Sequence, residues 1–123
     1  MLFRNQIVRS RSRFGRTLVA LVFSIPLAAR ANISCTGPVT YLGTNDSGSV
    51  YVAAGMQINV ICSTVTQGSY TASPQACKLF YASLLADQLA GRSPTVFYSD
   101  PALTDCSQIG SWSVQPSVYF VST

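Results

Sequence analysis

The sequence predicts a mainly β (α+β) domain. The expected architecture is a five-stranded OB-like barrel, in the order β-β-β-α-β-β, with one helix over residues 74–90. Three observations predict it. Residues 33–65 and 94–121 are rich in Val, Tyr, Thr and Ser, and their apolar residues alternate with a period of two. Gly, Asn, Asp and Pro punctuate these runs at short intervals, as turns do. Only residues 74–90 carry helix signals at both ends. Three strands, a helix and two further strands is the order of a small Greek-key barrel.

The first strand spans Ile33 to Leu42, with Ile33, Cys35, Val39 and Tyr41 on one parity and Gly37-Pro38 as an early bend or bulge. Thr44-Asn45-Asp46-Ser47-Gly48 is a turn, because Asn, Asp and Gly tolerate positive φ. Ser49 to Ala54 forms the second strand, Val50 and Val52 facing one way and Tyr51 and Ala53 the other. Gly55-Met56 turns the chain into Gln57 to Val65, where Ile58, Val60, Cys62 and Thr64 share a face. Short connections make these three strands an antiparallel meander.

After a loop at 67–71, Ser73 caps the helix and Pro74 fits its first position. Gln75 to Ala90 contains good helix formers. Gly91 ends it, and Arg92 sits where the helix dipole is negative. Cys77, Phe80, Tyr81, Leu84 and Leu85 lie on one broad side, and Leu79, Ala82, Ala86, Leu89 and Ala90 lie elsewhere. A helix apolar around most of its circumference is buried on more than one side, which in so small a domain points to oligomerisation. The bland alternative is that the alanines are good surface helix formers. Pro94 to Tyr98 is the fourth strand. Ser111 to Val121 is the fifth, with Trp112, Val114, Val118 and Phe120 on one parity and Pro116 marking an edge or bulge.

Residues 1–31 read as a signal peptide. Arg4, Arg9, Arg11, Arg13 and Arg16 precede an apolar run, Leu18 to Ala29, and Ala29-Arg30-Ala31 places small residues where a signal peptidase reads. The run is shorter than the roughly 20 residues of a spanning helix. The single domain, 32–123, is then 92 residues long, and no membrane segment remains after cleavage. Its bases are Lys78 and Arg92 and its acids Asp46, Asp87, Asp100 and Asp105, so its net charge is −2 against +4 for the whole chain. The basic character belongs to the leader. Nucleic-acid binding needs a basic stripe, which the domain lacks.

All four cysteines, Cys35, Cys62, Cys77 and Cys106, follow the predicted cleavage point. An even count in an exported chain reads as two disulfides. The chain has no histidine and no C-x-x-C pair, so no zinc site is expected and no thiol nucleophile has a base. No catalytic residues and no cofactor are expected either. The four aspartates have plain roles in turns, on the helix and beside Cys106, and nothing in the sequence brings two of them together. Phosphate-binding glycine loops are absent. Six tyrosines and Trp112 instead offer apolar faces for sugar rings and polar tips for hydroxyls. Asn32-Ile33-Ser34 and Asn45-Asp46-Ser47 match the N-glycosylation pattern, which is read as chance beside a bacterial-style signal.

The stretches Ile61-Cys62-Ser63, Ala76 to Leu85 and Gly91-Arg92-Ser93-Pro94-Thr95-Val96-Phe97-Tyr98 resemble the B subunits of AB5 toxins of the subtilase-cytotoxin and typhoid-toxin type, and also small uncharacterised exported bacterial proteins. The resemblance covers roughly residues 57–99. It implies an exported carbohydrate-binding OB-fold in the periplasm or outside the cell, a homo-oligomeric ring of five lined by the helix, sialylated glycans as ligands and an enzymatic A subunit as partner. The cysteine pair that such subunits carry across the second and third strands is missing here, and no sugar-contacting residue carries over. In an OB-like barrel the fourth strand runs antiparallel to the first, which favours Cys35–Cys106 with Cys62–Cys77. Packing of the helix on the fourth strand would instead give Cys77–Cys106 with Cys35–Cys62. The functional expectation is a non-catalytic binding module for a glycan; the other reading is a structural or partner-binding periplasmic protein with no sugar site.

Overall fold

The computed structural model describes residues 32–123; the predicted signal peptide lies outside them. Its strands are β1 (Ile33–Thr36), β2 (Val39–Thr44), β3 (Ser49–Ala54), β4 (Asn59–Ser63), β5 (Thr95–Tyr98), β6 (Ser113–Val114) and β7 (Val118–Ser122). One helix, α1 (Pro74–Ala90), separates β4 from β5, and a short 3₁₀ helix covers Cys106–Gln108. The domain is mainly β, with two sheets. One has the order β1-β5-β7, the other β2-β3-β4-β6.

This corrects the expected five-stranded OB-like barrel: among the described residues the strands form sheets of three and four, and no closed barrel is present. The cause lies in two breaks. Gly37-Pro38 splits the first long strand into β1 and β2. Pro38 has no N–H to give to a ladder. Gly37 lies against the β3–β4 turn so closely that a Cβ there would come within 2.6 Å of the Gly55 backbone. Gly55, at φ 80°, has a Thr36 carbonyl where its own Cβ would stand. Gln115-Pro116-Ser117 splits the last strand into β6 and β7 in the same manner. At each break the chain leaves one sheet and enters the other.

The pairing is antiparallel for β1–β5, β5–β7, β2–β3 and β3–β4, and parallel for β4–β6. A bulge between Val39 and Tyr41 shifts the β2–β3 register, so that Val39 and Leu42 pack on the core while Tyr41 is exposed. Val50, Val52 and Ile61 from one sheet, Val96 and Val118 from the other and Leu84 from the helix are completely buried. All five residues of β4 are buried, including Asn59. Its Nδ2 donates to the Val52 and Gln57 carbonyls, at 3.2 and 3.0 Å.

The helix begins and ends as its sequence signals. Ser73 Oγ accepts the Ala76 N–H at 3.1 Å, Pro74 takes the first turn, and Gly91 closes the helix at φ 67°. Arg92 does more than sit at the dipole: its Nε donates to Asp87 Oδ1 at 2.8 Å, and its N–H donates to the Asp87 carbonyl. Only Cys77, Leu84 and Asp87 are fully buried along α1. Leu79 and Leu89 are exposed, so within one chain the helix buries a single stripe.

Candidate functional site

The outer face of the four-stranded sheet carries an aromatic platform. On β3, Val50 and Val52 point into the core, so Tyr51 between them points out. On β2, Tyr41 is outward beyond the bulge, its ring lying over the glycine at position 43. Trp112 completes the group. Its ring centroid stands 5.7 Å from that of Tyr41 and 5.8 Å from that of Tyr51, both in edge-to-face geometry. Trp112 is 57% exposed and Tyr41 40%, so the indole and one phenol ring face solvent.

Trp112 is held there by an unusual backbone. It is the one non-glycine residue with positive φ among those described, at 62°. It occupies the third position of a turn in which the Ser113 N–H and Oγ both bond the Gly110 carbonyl, at 3.1 and 2.6 Å. Turns with positive φ at this position favour glycine. A bulky residue there costs about 1–3 kcal/mol unless its surroundings impose it. Here the Trp112 N–H is fixed on the Ile58 carbonyl at 2.6 Å.

Polar groups frame the rings. Asn45 Oδ1 accepts the N–H groups of Ser47 and Ser49, at 3.2 and 2.9 Å, which builds the β2–β3 turn. Its Nδ2 donates to Tyr51 Oη at 3.3 Å. Tyr70 lies near enough that the Tyr51 phenol adds to a rise in its pKa caused first by burial. The platform thus offers aromatic faces bordered by hydroxyl and amide groups.

The remaining tyrosines do not join it. Tyr98 is fully buried, Tyr81 is half-buried on the helix, and Tyr119 lies beside Phe97, which also meets Phe120, on the three-stranded sheet. Composition singled out seven aromatics, and only the strand register and the turn at 110–113 select three of them. No spacing in the sequence signals that grouping.

The aspartates occupy separate structural roles. Asp46 lies in the β2–β3 turn. Asp87 is buried and paired with Arg92. Asp100 accepts the Ala102 N–H at 2.9 Å, and Asp105 caps the 3₁₀ helix by accepting the Ser107 N–H at 2.7 Å. Among the described residues no group of three or more Cys, Asp or Glu is placed to hold a metal ion, and no helix is long and apolar enough to cross a membrane. The four cysteines form Cys35–Cys106 and Cys62–Cys77, the first of the two connectivities considered. Cys35–Cys106 ties β1 to the loop that leads to Trp112. Cys62–Cys77 ties β4 to the helix. Comparison with known protein families, with curated proteins and with solved structures finds no match.

Proposed function

We propose that the domain is an exported, non-catalytic binding module that holds a glycan on Tyr41, Trp112 and Tyr51. The observation that carries this reading is Trp112: a large apolar residue kept in solvent, in a glycine-like conformation, between two tyrosines. Strained backbone at a solvent-facing residue clusters at functional positions. Aromatic faces with hydroxyls and amides at their edge suit a sugar ring, which has apolar C–H faces and a polar rim. Export is supported by the leader at 1–31 and by two disulfides in a domain of this size.

The finer fold reading is an OB-like barrel opened at its two kinks. If β1 with β2, and β6 with β7, are each taken as one bent strand, the neighbour relations run in a ring through β3, β4 and β5. OB-folds bind saccharides on the second and third strands with the flanking loops. In this chain that region is β3, β4, the turn at 45–48 and the loop ending at Trp112.

Trp112 is the only tryptophan in the chain, so its fluorescence reports directly on the platform. A glycan array followed by fluorescence titration tests the proposal. Binding that quenches or shifts Trp112 emission, and that calorimetry finds lost in Trp112→Ala, supports it. Absence of any glycan binding at micromolar subunit concentration favours the second reading, a structural or partner-binding protein without a sugar site. That reading has its own observation: the outer helix face, where Leu79 and Leu89 are 67% and 80% exposed. In the toxin-like version this face meets neighbouring subunits of a ring that carries an enzymatic partner. Native mass spectrometry tests the ring, and a strict monomer removes it.

A further inference from the structure

We infer that the glycan extends from the aromatic platform into an adjoining groove, and that this groove favours an amine-bearing sugar over a carboxylated one. The inference rests on the platform reading and adds the ligand's class.

The groove has a volume of about 650 Å³ and is lined by Pro38, Thr40, Met56, Gln57, Asp105 and Ser107, among others. Two of its lining residues neighbour the platform through the chain. Thr40 is followed by Tyr41 on β2. Gln57 is followed by Ile58, whose carbonyl holds the Trp112 N–H. A further lining stretch, Asp105 to Ser107, belongs to the loop that ends at Trp112. A ligand unit stacked on the rings therefore has its neighbour's path laid out beside it.

The charge of the groove decides which neighbour. Asp105 is the only charged residue lining it. The two bases of the domain are elsewhere, Lys78 on the helix and Arg92 on Asp87. The Ser107 backbone N–H holds the Asp105 carboxyl below its ordinary pKa, so it is ionised at neutral pH. A carboxylated sugar would meet this like charge and no cation. An ammonium group would meet an opposite charge. The charge selection therefore runs against the acidic glycans that the sequence resemblance implies. Asp105 is exposed, so the preference is modest: a pair of this kind corresponds to about a twofold to fivefold change in affinity.

The test uses the intact disulfide-bonded protein and three trisaccharides of equal length: an N-acetylated neutral one, its de-acetylated amine-bearing counterpart and a uronic acid. Binding is read by Trp112 fluorescence and calorimetry in mildly acidic buffer, where the amines are protonated. The expected order is amine, neutral, acid. Asp105→Asn keeps a competent cap and should bring the amine and neutral affinities together. Gln57→Lys, an exposed substitution in the groove, should improve the acid relative to the amine. Equal affinities for all three, an acid that binds as well as the neutral sugar, or an amine preference that survives Asp105→Asn overturns the groove assignment while the platform stands. No binding of any of the three, together with a blank glycan array, overturns the platform and this inference with it.

Discussion

The Tyr98 hydroxyl donates to Asn59 Oδ1 at 3.1 Å, in the fully buried space between the two sheets. Tyr98 belongs to the three-stranded sheet and Asn59 to the four-stranded one, so this bond joins layers that share no ladder there. Asn59 spends its two amide hydrogens on backbone carbonyls, which leaves its oxygen for Tyr98. Tyr98→Phe keeps the ring but strands that oxygen in an apolar setting. The expected loss is about 1–3 kcal/mol. Urea denaturation should show a lower midpoint with an unchanged slope.

The same phenol gives the protein a defined alkaline limit. Burial raises the Tyr98 pKa well above its ordinary 10.0, and the Asn59 bond offsets only part of that rise. A raised folded-state pKa contributes stability that is complete below the unfolded value and is lost as pH rises through the folded one. Stability should therefore hold steady up to about pH 10, the ordinary phenol value, and fall above it. Burial raises Tyr70 too, in the same direction. Tyr98→Phe should start less stable at neutral pH yet decline less steeply in alkali. Thermal melts over an alkaline pH series compare the two slopes, and equal slopes would mean that Tyr98 does not control this limit.

The two disulfides differ in reach and in access. Cys35–Cys106 spans a sequence separation of 71 and Cys62–Cys77 one of 15. Chain entropy alone assigns them about 4 and about 3 kcal/mol. Cys62 and Cys77 are both completely buried, whereas Cys106 is only half-buried, against a buried Cys35. Under limiting reductant in native buffer, Cys35–Cys106 should open first, since thiol exchange needs an attacking sulfur to reach the bond. Alkylation followed by peptide mass mapping gives the order. Opening Cys35–Cys106 frees the 99–112 loop at one end, so Trp112 emission should shift at that step and not before.

Much of the fold is legible in the sequence because it is locally encoded. Ser73, Pro74 and Gly91 mark the helix through caps that need no tertiary partner. Asn45 to Gly48 mark the turn through a side chain that bonds its own backbone. The kinks at Gly37-Pro38 and Pro116 are legible as interruptions. Their effect, the transfer of the chain between sheets, depends on Gly37 meeting Gly55, a contact set by the fold. The platform is less legible still. Trp112 and Phe120 have the same parity as Val118, yet Val118 is buried and the other two are exposed. For Trp112 the period-two pattern of Ser111 to Val121 fails because the strand does not run through Gln115-Pro116-Ser117 and because Trp112 turns at positive φ; for Phe120 it fails because the β5–β7 register shifts between Phe97 and Tyr98. Alternation carries no information across such a break.

The position of Trp112 separates stability from function. At φ 62° a glycine would relieve about 1–2 kcal/mol of left-handed strain. Removing the indole also forfeits its contacts with Tyr41 and Tyr51, roughly 0.5–1.5 kcal/mol for each edge-to-face pair, less where the ring is as exposed as this one. Trp112→Ala loses the ring and keeps the strain. Trp112→Gly loses the ring and sheds the strain. The glycine variant should therefore be more stable than the alanine variant by about 1 kcal/mol, the reverse of the order at an ordinary strand position, where alanine is favoured. Urea melts of the two variants measure the difference directly. Calorimetric titration, which needs no tryptophan, should find glycan binding absent from both. Loss of binding in the glycine variant, despite its relieved backbone, would show that the indole ring is what this strained position serves. Equal stability of the two variants would mean that the turn relaxes when the ring is gone, and the strain argument for a binding role would fail.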